Sequence, residues 1–371
     1  MTPHSASQGN FSSIQCLRGI AALLVVVFHA HGAVFLKFST APSLLNAHEG
    51  LRTFGVVGVD IFFVVSGFIM FYVYSKDFGT PKASLNFFAR RLIRIVPLYW
   101  IFTGLMAFLL LVVPGAFSTL KFDATHILES FLFLPTTNSA GEFFPVLNVG
   151  WTLTYEMYFY ALFGLMLFSS ARFALCLIGA WFVASAIAGY WLPRDSAGLY
   201  ILLNDILVEF VLGGAIGLAA LKGYRLPLRA AHLALLGGLT AFAAQIVLGD
   251  PGWGRLPLRG LPAACIVAAL VSMEMHGAFR LPAWMARAGD QSYSLYLCHS
   301  LAQTALFKTV VLLGAQSWMA ADLLIIMAVF VSVLAGYFVY ITLEKPVTRA
   351  LNRRWSSIWR AISARSSSLA V

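Results

Sequence analysis

Ten apolar stretches, each close to the ~20 residues a helix needs to cross a bilayer, recur along this chain and leave it few folds to adopt. They run through residues 14–35, 55–75, 97–113, 150–168, 173–192, 199–221, 230–248, 258–275, 290–314 and 320–343. In hydrocarbon every backbone N–H and C=O must be paired within the segment itself, so each stretch implies an α-helix. The expectation is an all-α polytopic membrane protein of about ten transmembrane helices, without a soluble domain. Composition agrees, with 60% apolar and 11% charged residues and a mean hydropathy of +0.83, outside the range of water-soluble domains. The opening MTPHSASQGNFSS has no basic region and no small-residue cleavage site, so no signal peptide is expected.

A net charge of +10 raises the question of a nucleic-acid partner, and the placement of the charge answers against one. Of the 25 Lys and Arg, eighteen fall at Arg18, residues 76–96, Arg172, residues 222–229, Arg280, Arg287 and the tail beyond 344. The other seven fall toward the opposite side, so the positive-inside rule predicts both termini in the cytoplasm. Residues 1–344 then form a transmembrane domain and 345–371 a basic amphipathic cytoplasmic tail. In that tail Trp355, Ile358, Trp359 and Ile362 recur at helical spacing among Arg353, Arg354, Arg360 and Arg365, the pattern of a helix lying on anionic lipid. The longest connection, 114–149, carries HILESFLFLP, too short to span and fit for a re-entrant or interfacial lid. The four cysteines stand singly, without metal-ligand spacing, so they read as reduced packing residues and no metal is predicted.

Ionisable groups within spans are costly and mark cavities or partners. In LRGIAALLVVVFHAHG, Arg18 and His29 stand eleven residues apart, which is about 20° beyond three full turns and about 16 Å along the axis. Arg18 alone reads as a snorkelling anchor. A titratable ring on the same stripe, about half a membrane deeper, suits general acid/base work, although a histidine in a span can also be a hydrogen-bonded packing residue. GVDIFFVVSGF brings Asp60, Ser66 and Gly67; the small residues fit close helix packing, whereas Asp60 needs a partner. Arg90, Arg91 and Arg94 precede Pro97 at a cytoplasmic helix end, where positive-inside bias explains basic charge and a guanidinium cluster also suits phosphates. WTLTYE sets Trp151 in an aromatic belt and drops Glu156 one to two turns into a span. Asp205 and Glu209 lie one turn apart and read equally as a structural pair. DQSYSLYLCHSLAQ places Ser292, Tyr296, His299 and Gln303 along one polar stripe, either interhelical glue or a cavity lining.

These motifs, with EKP at Glu344 to Pro346, resemble in content and order the acyltransferase-3 family of bacterial membrane acyltransferases, near the exopolysaccharide O-acetyltransferases. The likeness covers nearly the whole chain. It implies transfer of an acyl group, commonly acetyl from acetyl-CoA, to a hydroxyl of a glycan or glycolipid, with the first-span Arg and His essential. It further implies a multi-pass protein of the bacterial cytoplasmic membrane. Some relatives append an extracytoplasmic esterase-like domain, so here the acceptor is expected to be served by the membrane domain. Where relatives often carry an aromatic residue before the ninth-span His, this chain has Cys298.

On this reading His29 is the candidate base, with Glu156 or Asp60 as orienting carboxylate. Arg18, Arg90, Arg91 and Arg94 bind the donor, and Ser66, Trp151, Ser292, Tyr296 and His299 line the pocket. Direct transfer and an acetyl-imidazole intermediate both remain open, as does homo-oligomerisation. Two other readings stand beside it. One is a secondary transporter using the same carboxylates and histidines, disfavoured by the lack of visible repeats. The other is an acyltransferase acting on a macrolide-type metabolite or a lipid.

Overall fold

The computed structural model describes residues 11–38, 43–45, 49–80, 82–116, 120–249, 254–279, 281–317 and 319–368, and all regular structure among them is helical. In chain order the helices are α1 (Ser12–Lys37), α2 (Glu49–Phe54), α3 (Val57–Val73), α4 (Ala83–Val112) and α5 (Ala124–Phe131). Then come α6 (Trp151–Met166), α7 (Ala171–Ala188), α8 (Ala197–Leu202), α9 (Leu207–Leu221) and α10 (Leu228–Leu248). The last are α11 (Leu261–Met275), α12 (Ala283–Asp290), α13 (Ser292–Leu312), α14 (Ala321–Val339) and α15 (Lys345–Ser368). Residues 1–10, on which the leader argument rests, lie outside the described residues, as do Arg280 and the side chain of Arg365.

Nine helical stretches among the described residues are long and apolar enough to cross a membrane, which makes this a multi-pass membrane protein. The stretch expected at 150–168 is not among the nine. It forms α6, whose 16 residues reach about 24 Å at 1.5 Å per residue, against a hydrocarbon core of ~30 Å. A 3₁₀ turn, Asn148–Gly150, leads into it. At α4 the boundary expected near Pro97 is absent, and the helix runs unbroken for 30 residues with Pro97 inside. Proline removes one ladder bond, which membrane helices tolerate when neighbours supply partners. Two residues before the proline, Tyr293 Oη also donates to the Ile95 carbonyl at 2.6 Å, tying this stretch of α4 to the segment that opens α13. Arg90, Arg91 and Arg94 therefore sit on the body of a helix and not in a connection.

The chain divides into two compact units. In the first (residues 1–76, 208–292 and 320–325) small residues set the helix spacing. A Cβ on Gly67 would stand 2.0 Å from the Phe210 carbonyl oxygen, and one on Gly213 would stand 1.8 Å from that of Val64, so α3 and α9 meet backbone to backbone. The packing expected of Gly67 is thus its role. Glu274, at the end of α11, accepts from the Ser12 and Ser13 amides at 2.8 and 2.9 Å, satisfying the orphan donors that open α1. Ser43 Oγ and the Leu44 and Leu45 amides converge on the Asp322 carboxylate.

In the second unit (residues 77–207, 293–319 and 326–371) the segment expected as a lid is tied down by hydrogen bonds. Asp123 caps α5 through the Thr125 amide, and Tyr99 and Trp100 of α4 donate to the Ser130 and Phe131 carbonyls at 3.0 and 2.9 Å. The tail also differs from expectation, because α14 passes through a π-helical turn, Tyr340–Glu344, directly into α15. Of the cysteines, Cys16 and Cys298 are buried packing residues, whereas Cys176 and Cys265 are exposed.

Candidate functional site

In the first unit, α1 carries Arg18 and His29 on one stripe because nothing interrupts the helix between them. Arg18 is buried, at 8% exposure, with Nη1 donating to Gln15 Oε1 (2.7 Å) and Nη2 to Ser292 Oγ (3.1 Å). Ser292 Oγ in turn donates to the Gly289 carbonyl at 2.8 Å. Gly289 lies so close to α1 that a Cβ there would meet the Gln15 carbonyl oxygen at 2.2 Å. Two residues 274 apart in sequence, both singled out above, are thus brought into contact. Both of these acceptors are neutral.

His29 is half-buried, and its Nδ1 lies 2.9 Å from the Val25 carbonyl oxygen. A carbonyl only accepts, so Nδ1 carries the proton and Nε2 holds the lone pair of the neutral ring. His31, two residues on, is buried and faces the charge of Asp322. Ser66 is half-buried on α3, one position before the tightly packed Gly67.

Asp60, expected as an orienting carboxylate, is instead gripped by an arginine. It is wholly buried at 0% exposure, and Arg255 Nε and Nη2 donate to its two oxygens at 2.7 and 3.1 Å. Glu209 Oε1 lies 3.9 Å from the same Arg255 Nε. This places Glu209 in an ion cluster linking α3, α9 and the turn before α11. Sequence reasoning missed Arg255, having counted it only as one basic residue of a connection. The signal available was that Asp60, as a carboxylate in a span, required a cation.

In the second unit the four motif segments interlock. Tyr160 Oη donates to Glu156 Oε1 one turn back on α6, and the Arg91 guanidinium stands 5.8 Å from the Tyr160 ring centroid. Tyr293 lies near enough to feel the charges of Glu156, Glu344 and Arg94. Tyr296 Oη donates to the Val149 carbonyl at 2.8 Å and lies 2.8 Å from Thr152 Oγ1, which joins the ninth expected span to the start of α6. Trp151 is half-buried and packs edge-on against Tyr155 at 5.7 Å. His299 is fully buried, its Nδ1 3.2 Å from the Leu295 carbonyl oxygen, so the same tautomer argument holds for it. Glu344 of EKP accepts from the amide and hydroxyl of Ser294. Arg90 Nε donates to Asn86 Oδ1 at 3.1 Å. The nearby Asp77 carboxyl is pushed above its ordinary range by burial, and the Arg90 charge pulls it partly back. No group of His, Cys, Asp and Glu among the described residues could hold a metal ion.

The model of an acyltransferase domain matches residues 11–343. Over 300 residues the chain is 37% identical to the exopolysaccharide production protein ExoZ of Rhizobium meliloti (strain 1021), covering 80% of this chain and 90% of that protein. It is 27% identical over 378 residues to the acyltransferase MdmB of Streptomyces mycarofaciens, covering 92% of each. It is also 26% identical over 326 residues to nodulation protein 10 of Rhizobium leguminosarum bv. viciae, covering 80% of this chain and 83% of that one. No solved structure matches the chain.

Proposed function

Because this chain belongs to the acyltransferase-3 family, we propose that it moves an acetyl group from cytoplasmic acetyl-CoA to a hydroxyl of an exported polysaccharide or its lipid-linked precursor, in the bacterial cytoplasmic membrane. The family membership also removes the transporter reading. The acceptor class is supported by the relative that is 37% identical, a protein of exopolysaccharide production.

The observation that carries the chemistry is the contact of His29 Nδ1 with the Val25 carbonyl, which in the neutral ring makes Nε2 the basic nitrogen. The acceptor oxygen bonds to the thioester carbonyl carbon and the C–S bond breaks. The hydroxyl proton passes to His29 Nε2 and from there to the leaving thiolate, so the products are an ester and the CoA thiol. Arg18 in the first unit, and Arg90, Arg91 and Arg94 in the second, are each candidates for the donor phosphates, for which planar guanidinium forks are suited. Glu156, held by Tyr160, is the second acid/base candidate; Trp151, Tyr296 and His299 are pocket candidates in the second unit, and Ser292 is one in the first. Asp60, engaged by Arg255, braces the bundle. Deleting the gene should remove O-acetyl esters from the surface glycans, with recovery on complementation by wild type and none by His29→Ala. Unchanged glycan acetylation on deletion overturns the polysaccharide reading.

We read the topology as ten spans with both termini in the cytoplasm, the short α6 included. Support comes from the basic bias and from hydrogen bonds joining segments assigned to one side. These are Arg225 Nη1 to the Met275 carbonyl (2.7 Å) and Ser12 to Glu274 in the first unit, and Trp355 to Asn86 in the second. Cysteines introduced at Ser84 and Ser139 should react with an impermeant maleimide from opposite faces, Ser84 from the cytoplasm. Labelling of both from one face is incompatible with this topology.

A further inference from the structure

The tail helix α15 has the composition of a lipid-surface anchor, yet its first tryptophan is not used as one. Trp355 is half-buried, its Nε1–H donates to Asn86 Oδ1 at 2.9 Å, and its ring lies against Trp359 at 5.8 Å between centroids. An anchoring indole would leave its N–H for headgroups and water. The same Asn86 oxygen accepts from Arg90 Nε at 3.1 Å. An amide oxygen has two lone pairs, so one acceptor can hold both donors at once. Arg90 is exposed, and its two terminal nitrogens hold no hydrogen bond among the described residues.

We propose that Trp355 is a positioning residue for the acyl donor, acting through the shared Asn86 oxygen to orient the Arg90 guanidinium. This rests on the reading of Arg90 as a phosphate-binding residue. Free of the indole, the Asn86 amide can turn and rotate away, and Arg90 then loses the contact that fixes its Nε edge. A guanidinium free to sample many rotamers pays its ordering entropy only when a phosphate arrives, so the donor binds more weakly. The tail beyond residue 344 is on this view part of the donor site, with membrane attachment a secondary property of its exposed face, where Ile358 is 51% exposed.

The test is a double-mutant cycle on the purified full-length protein, with coenzyme A as the probe in calorimetry and steady-state kinetics beside it. Trp355→Phe keeps an aromatic ring beside Trp359 while removing the N–H, at the cost of some ring area. It should weaken CoA binding by about three- to tenfold, the worth of one side-chain hydrogen bond. The Michaelis constant for the donor should rise by a similar factor with kcat unchanged. Arg90→Ala should weaken binding further, and the double variant should be no worse than Arg90→Ala alone, because Trp355 acts only through that residue. If Arg90→Ala weakens binding but Trp355→Phe does not, or if the two losses add, the proposal is overturned and the donor reading stands. If Arg90→Ala leaves CoA affinity at the wild-type value, the donor reading of Arg90 fails, and the role of Trp355 fails with it.

Discussion

His29→Ala is expected to slow acyl transfer by about 100-fold or more, the range for losing a general base, while leaving affinity for CoA nearly unchanged. The hydroxyl needs its proton removed only as it attacks, so the loss belongs to the transition state and not to the resting complex. The ring's Nδ1 proton is already spent on the Val25 carbonyl. His29→Gln therefore tests whether shape and hydrogen bonding suffice, because an amide can donate to that carbonyl but cannot take up a proton at neutral pH. It should be as slow as the alanine variant. Arg18→Ala should do the reverse, weakening CoA binding while sparing the chemical step, and Arg18→Lys should restore it only in part because the fork geometry is lost. Arg18 also holds Gln15 and Ser292, so its variants need a check of folded yield. A folded His29→Ala protein that binds CoA as poorly as Arg18→Ala would move His29 into the donor site.

What the chain displayed in advance was what local physics writes locally. A span declares itself because about 20 successive residues must each be apolar, and the helical pitch puts residues 18 and 29 on one stripe whatever surrounds them. The same reasoning misjudged α4, where Pro97 looked like a boundary. Proline is a strong breaker in water, but a membrane helix tolerates one, and α4 runs through Pro97 without a break. The stretch at 150–168 forms a helix as expected, though one of 16 residues.

The contacts that assemble the candidate groups were beyond the sequence for a related reason. Arg18 meets Ser292 across 274 positions, Arg255 meets Asp60 across 195, and Ser294 meets Glu344 across 50. Each partner could be flagged as polar in an apolar place and therefore in need of company. Which company it keeps depends on helix pairing, and pairing is set by features such as the bare backbones of Gly67 and Gly213, whose alternatives one sequence does not rank. The tail shows the converse. Its basic amphipathic pattern correctly marked a helix, while the hydrogen bond from Trp355 to Asn86, on which the proposed positioning role rests, joins residues 269 apart.

Arg255→Ala is expected to destabilise the protein by about 3–5 kcal/mol, the cost of breaking a buried ion pair by removing one partner. Asp60 has no solvent exposure, and both of its hydrogen bonds come from that guanidinium, so the variant leaves a carboxylate deep in the bundle with its fork removed. Domains have only about 5–15 kcal/mol in total, so folded yield in detergent should fall steeply along with the melting temperature. Desolvation makes the pair costly even when intact, hence replacing both partners should hurt less than removing one. Asp60→Leu combined with Arg255→Met should recover much of the loss. Recovery should stay incomplete, because Glu209, 3.9 Å from the same guanidinium nitrogen, keeps its charge in the cluster. Adding Glu209→Gln to that pair should then bring the melting temperature closer to wild type, and thermal unfolding of the purified variants followed by tryptophan fluorescence would order the series. If Arg255→Ala melts with the wild type, the cluster contributes no bracing and Asp60 returns to the set of groups available for chemistry.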